Sequence, residues 1–192
     1  MDKRLHDVKI LAVVGLAGAG KSEVVEHISK KGFPKVYFGG VVLQAVKDAG
    51  LDITPDNERM MREKLRAEEG KDVVANRIVR QINDLIDAGQ RHVIADGLYS
   101  WTEYKILKHE FPGKLELISV VAPRPLRYHR LEHRPVRPLT RDEAQTRDWS
   151  EIENLEKGGP IAIADHFIIN DGNLADLHKN TDTILEEIDF VK

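Results

Sequence analysis

Gly15-Leu16-Ala17-Gly18-Ala19-Gly20-Lys21-Ser22 follows directly on the apolar run Val8 to Val14. This is a G-x-x-x-x-G-K-[ST] stretch in the setting its chemistry requires, with a strand pattern before it and a helical pattern after it. Glycines let the main chain curl so that successive N–H groups converge on phosphate oxygens. The curl then opens into a helix N-terminus, whose dipole favours an anion. Gly15, Gly18, Ala19, Gly20, Lys21, Ser22 and Glu23 are therefore expected to hold the phosphates. Lys21 is placed for the outermost ones and the Ser22 hydroxyl for Mg²⁺.

Working outward, apolar runs alternate with helical stretches. Lys9 to Val14 is β-branched and almost wholly apolar, as a parallel strand covered on both faces is. The pattern predicts a helix over 22–31 closed by Gly32, a short strand over 34–38, and a helix over 41–49 closed by Gly50. Thr54-Pro55 opens a charged helix that stops at Gly70. Residues 72–88 are amphipathic, with Val73, Val74, Ile78, Ile82, Leu85 and Ile86 on one side. A strand over 92–95 runs into Asp96-Gly97. Ser100 with Glu103 and Thr140 with Glu143 have the form of capping boxes. A strand is expected over 115–121, broken by Pro123, then a helix over 126–134. Pro135 and Pro138 mark an irregular loop, and the helix begun at Thr140 runs toward Glu156. Gly158-Gly159-Pro160 reads as a break, 166–169 as the last strand and 173–188 as the last helix. Five strands alternating with helices predict an α/β fold, a three-layer α/β/α arrangement on a five-stranded parallel sheet. Ligands in such sheets sit beyond the strand C-termini, which gathers the Gly-rich loop, Asp96 and Asn170 on one edge.

The composition narrows the function. The 192 residues carry a net charge of −3, which argues against a general nucleic-acid binder. There are no cysteines, so disulfides and thiolate metal sites are excluded. The polar N-terminal residues and the shortness of the longest apolar stretch, Ile10 to Gly20, predict a cytoplasmic protein with no membrane partner.

Asp96, at the end of an apolar strand, is expected to help Ser22 hold Mg²⁺. Arg124, Arg127, Arg130, Arg134, Arg137, Arg141 and Arg147 face only Glu132, Asp142 and Glu143 in the same stretch. Arginine forks grip phosphate oxygens in pairs, so this cluster reads as a lid over a polyphosphate. Arg124 and Arg127 are expected to be solvated members that contribute little. His129, His133 and His166 show no metal spacing, and Trp101, Trp149 and Tyr99 are expected to pack.

These residues give the chain a resemblance to the small P-loop kinases of the adenylate kinase and dephospho-CoA kinase group. The resemblance implies a nucleoside monophosphate kinase-like fold in a single domain. Its core would be 1–38, 71–130 and 157–192, its acceptor lobe 39–70 and its lid 131–156. It implies ATP- and Mg²⁺-dependent phosphoryl transfer to a nucleoside monophosphate, a dephospho-CoA-like molecule or another small acceptor. Within that resemblance Lys21, Asp96 and Arg134 carry catalysis. Arg130 matches an arginine that stacks on the ATP base, and the stretch with Asn170 and Gly172 matches one that contacts adenine. Two departures stand out. The T-G-D-x-x-R stretch of adenylate kinases is here Phe38-Gly39-Gly40-Val41-Val42-Leu43, and no arginine follows Asp96-Gly97. Both usual acceptor arginines are thus absent. Arg59, Arg62 and Arg66 are either replacements or surface partners of Glu58, Glu63 and Glu69. The rival reading is an ATP-binding regulatory module or slow NTPase with no small-molecule acceptor.

Overall fold

Alternation along the first strand divides the core in two. In β1 (Lys9–Val14), Ile10, Ala12 and Val14 enter one buried cluster, and Leu11 and Val13 enter another. That is the period of two that a strand imposes. Both faces are apolar because helices cover both. The computed structural model describes residues 3–191.

After β1 come α1 (Lys21–Ser29), β2 (Lys35–Tyr37), α2 (Phe38–Asp48), α3 (Pro55–Glu69) and α4 (Val73–Asp87). Then follow β3 (His92–Asp96), α5 (Trp101–Glu110), β4 (Leu115–Val121), α6 (Arg124–His133) and α7 (Arg141–Glu153). A short α8 (Gly158–Ala162), β5 (His166–Ile169) and α9 (Leu174–Glu187) close the order. The five strands are all parallel and lie in the order β2-β3-β1-β4-β5. Ile78, Ile82 and Ile86 of α4 and Leu107 of α5 pack on one face. Val24, Val25 and Ile28 of α1 and Leu177, Ile184 and Leu185 of α9 pack on the other. This is the expected three-layer α/β/α fold. Val42, Val46, Met61, Leu65 and Val73 form a separate small core where α2 and α3 meet the start of α4.

The strand register positions the site. Val13 pairs with Asp96, so the carboxylate stands beside the exit of β1 into the Gly-rich loop. Val121 pairs with Ile169, which brings Asn170 to the same edge. Both expected capping boxes form, at Ser100 with Glu103 and Thr140 with Glu143.

Three elements depart from expectation. Helix α2 starts at Phe38 rather than Val41 and runs through Gly39 and Gly40. The Tyr37 ring lies over both glycines, and a Cβ at Gly39 would strike it. The Gly158-Gly159-Pro160 stretch is not a break but the helix α8. In a single turn Pro160 need not donate its missing N–H, and Pro160 is buried there. Gly159 lies close beneath the Trp101 ring. Helix α7 ends at Glu153, short of Glu156, which has a positive φ of 52°. Among the described residues no helix is long and apolar enough to cross a membrane.

Candidate active site

Four successive carbonyls of the Gly-rich loop, Leu16 to Ala19, are each held by a side chain. The Leu16 oxygen accepts from Lys21 Nζ at 3.0 Å and the Ala17 oxygen from Arg127 Nη1 at 3.0 Å. The Gly18 oxygen accepts from Arg130 Nη1 at 3.5 Å and the Ala19 oxygen from Asn170 Nδ2 at 2.8 Å. With these acceptors engaged, the loop meets an anion through its N–H groups, of which Ala17 N–H donates to Glu151 at 3.1 Å and Ala19 N–H to the Leu16 carbonyl at 3.2 Å in the free protein. The glycines are sterically required. Gly15 has φ 145°, and a Cβ on it would strike the Val120 carbonyl. Gly20 has φ 105°, and a Cβ there would strike the Asn170 amide.

Lys21 opens α1, and its pKa falls to about 8. Burial is the main cause, followed by repulsion from Lys157; Glu151 opposes them, Arg147 lowers it a little further, and Asp96 opposes least. Ser22 and Glu23 are exposed at the start of the same helix. Asp96 is paired with Lys35 Nζ at 3.6 Å. Burial raises its carboxyl pKa, opposed by Lys35 and Lys21. A serine hydroxyl and a carboxylate are oxygen ligands that suit a hard divalent cation. Lys35 escaped the sequence reading, because nothing local in a three-residue edge strand marks a site residue.

Arg130 and Asn170 are brought together. Arg130 Nη2 donates to the Asn170 carbonyl at 3.1 Å and lies 3.4 Å from its Oδ1. Gly172 is exposed, with the Asp176 side chain beside it. Arg134 Nε donates to the Arg137 carbonyl at 2.6 Å. Burial, with Arg147 and Arg137 nearby, lowers its pKa.

Arg127 is the clearest correction. It is not solvated: it is 5% exposed, and its fork meets Asp148 at 2.7 and 2.6 Å. Two further expectations fail. Trp149 is 57% exposed rather than packed. His129, Glu132 and His133, spaced i, i+3, i+4 on α6, have ligand atoms within 4.8 Å of one another, so metal spacing does exist there, on exposed side chains.

Beside the loop lies a cavity of about 440 Å³ between the α2–α3 region and the segment from Arg137 to Lys157. Arg62, Arg66, Arg137, Arg147 and Lys157 line it, against Glu58, Glu103 and Glu151. Arg59 instead makes a surface pair with Asp56 at 3.0 Å. The three candidate arginines therefore divide, two to the cavity and one to the surface. Tyr99, also on the wall, lies under Lys157 Nζ at 4.4 Å from the ring centre. Arg137, between α6 and α7, reaches Glu58 of α3 at 3.5 Å beside the cavity.

Residues 11–156 match the family described as AAA domain. A UPF0200 protein of Thermococcus gammatolerans is 35% identical over 182 residues, covering 93% of this chain and 95% of its own. The crystal structure of TT1252 from Thermus thermophilus is similar with a TM-score of 0.66 at 20% identity, over 94% of this chain and 98% of that one. Dephospho-CoA kinase from Campylobacter jejuni gives a TM-score of 0.57 at 14% identity, over 95% and 99%. At these identities the two structures establish a shared fold. The sequence matches go further, and the chain belongs to the AAA-domain family of P-loop kinase-like proteins, among its UPF0200 members.

Proposed function

We propose that this protein is a small-molecule kinase that moves the terminal phosphoryl group of ATP to a small acceptor carrying an anionic group. One observation carries the reading: a phosphate loop with its carbonyls tied outward opens beside a cavity lined by Arg62, Arg66, Arg147 and Lys157. A cation about 4 Å from an anion gains about 4 kcal/mol at an effective dielectric of 20. Arg62 and Arg66 thus stand where two acceptor cations are needed, while Arg147 and Lys157 are paired with Glu151 in the free protein.

The loop amides from Gly15 to Ser22, with Lys21, hold the ATP phosphates. Arg130, Asn170 and Gly172 border the nucleoside. Ser22 and Asp96 would hold Mg²⁺, which when bound neutralises charge on the phosphates. Residues 39–70 serve as the acceptor lobe and 131–156 as the lid, on a core of 1–38, 71–130 and 157–192. Arg134, with Arg137, Arg141 or Arg147, closes over the phosphates. The acceptor oxygen forms the new bond to phosphorus as the bridge to ADP breaks. Such transfer depends on positioning and on charge stabilisation that grows toward the transition state.

Lys21→Ala should keep the fold yet cut turnover far more than it weakens ATP binding. Equal turnover in the two proteins would remove the argument. A panel of nucleoside monophosphates, dephospho-CoA and small phosphorylated or carboxylated alcohols, read by ADP release, should yield one compound that stimulates turnover. The second reading, a nucleotide-binding regulatory module or slow hydrolase, is favoured by the absent acceptor arginines. Nucleotide binding with no stimulation across the panel would support it.

A further inference from the structure

Ala17 is gripped on both of its backbone polar groups by side chains from α6 and α7. Its carbonyl accepts from Arg127, and its N–H donates to Glu151 Oε2 at 3.1 Å. The second contact is the informative one. A loop amide of this kind faces an anion, and here the anion belongs to the protein. Glu151 is 4% exposed. Its other oxygen, Oε1, lies 3.0 Å from Lys157 Nζ and 3.1 Å from Arg147 Nε. Burial alone would raise its pKa, yet Lys157, Lys21 and Arg147 together hold it below the ordinary value, which keeps it ionised. An oxygen anion on a loop N–H, with two cations in contact and the loop lysine close by, has the surroundings of a phosphate oxygen.

We propose that Glu151 stands in for a terminal phosphate, so that nucleotide must displace it from the Ala17 N–H and, in doing so, frees Lys157 and Arg147 into the acceptor cavity. This rests on the nucleotide-binding reading above. An N–H shared between two anions bonds each of them more weakly, and two unscreened anions at that spacing repel. Glu151, Lys157 and Arg147 all line the same cavity, so the carboxylate's departure changes the charge that an acceptor meets. Displacement therefore links the donor site to the acceptor site. Glu151 sets nucleotide affinity from a position on α7, far in sequence from the loop.

The test is calorimetry of ATP with Mg²⁺ on the parent protein, Glu151→Gln and Glu151→Asp, with circular dichroism as the check on folding. Gln keeps the shape and removes the charge, so its Kd should fall tenfold or more. Asp keeps the charge but withdraws it by one methylene, so its Kd should fall by a smaller factor. Should Gln fail to fold, Asp alone carries the test. A natively folded variant that binds ATP no more tightly than the parent overturns the proposal. Unchanged affinity with lost phosphoryl transfer also overturns it, and assigns Glu151 to the transfer step. If the folded parent and variants all fail to bind ATP, the nucleotide reading itself falls and takes this one with it.

Discussion

Replacing Arg127 by Met isolates the pair that joins α6 and α7 to the loop. Arg127 and Asp148 are each 5% exposed. Two parallel bonds of 2.7 and 2.6 Å connect them, and the same guanidinium donates to the Ala17 carbonyl at 3.0 Å. Without the fork, the Asp148 carboxylate keeps one neutral donor, the Tyr128 hydroxyl at 3.2 Å. Breaking a buried pair on one side costs about 3–5 kcal/mol, because a charge is stranded. That hydroxyl bond is present in the parent as well, so it does not reduce the difference. The expected loss is therefore about 3–5 kcal/mol, which for a chain of this size lowers Tm by about 6–20 °C. Asp148→Asn should cost a comparable amount. The double variant Arg127→Met/Asp148→Asn should cost less than the sum of the two, since no bare charge remains. Urea unfolding followed by far-UV circular dichroism measures all three against the parent. A loss below about 1 kcal/mol for Arg127→Met, or strictly additive losses in the cycle, would refute the reasoning.

Two other outcomes are expected. Lys21 has its pKa lowered to about 8 in the free protein, and a bound phosphate raises it, so binding takes up a proton above that pH. ATP affinity should be flat below pH 8 and fall as pH rises through it, by up to about tenfold per unit. Calorimetry in buffers of different ionisation enthalpy would detect the proton uptake, and a flat profile to pH 10 would contradict it. The Ser119 hydroxyl is fully buried in β4 and finds no hydrogen-bond partner among the described residues. Ser119→Ala should then be neutral or stabilising by up to about 1 kcal/mol in the same urea assay, and a loss above about 2 kcal/mol would reveal a missed partner.

The phosphate loop was legible because its chemistry is local. Eight consecutive residues fix the turn, the amides and the lysine, and flanking strand and helix patterns supply the context. The sheet was legible for the same reason, through the unbroken apolarity of its central strand. Arg127 was misread because its partner lies 21 positions away, on a different helix. Within its own stretch it is one arginine among seven. Glu151 carried no signal at all, since a glutamate in a charged helix looks solvated until the fold sets it against residue 17. Arg62 and Arg66 were left undecided by spacing alone, because one helical turn places a residue equally well for a surface pair or a cavity wall. The helix α8 was hidden by its glycines and proline, which mark a loop until Trp101 and the buried wall give the turn something to pack against.

The loop's outward-tied carbonyls bear on how the protein is made. The groups that fix Leu16 to Ala19 come from Lys21, Arg127, Arg130 and Asn170. During synthesis the curl emerges first, but its last brace leaves the ribosome some 150 residues later. A nascent chain stalled before β5 would own the complete phosphate-binding sequence without the shape to use it. The same holds for any attempt to transplant residues 15–22 into another scaffold: the recipient would also need the distant cations and the amide that keep the curl open.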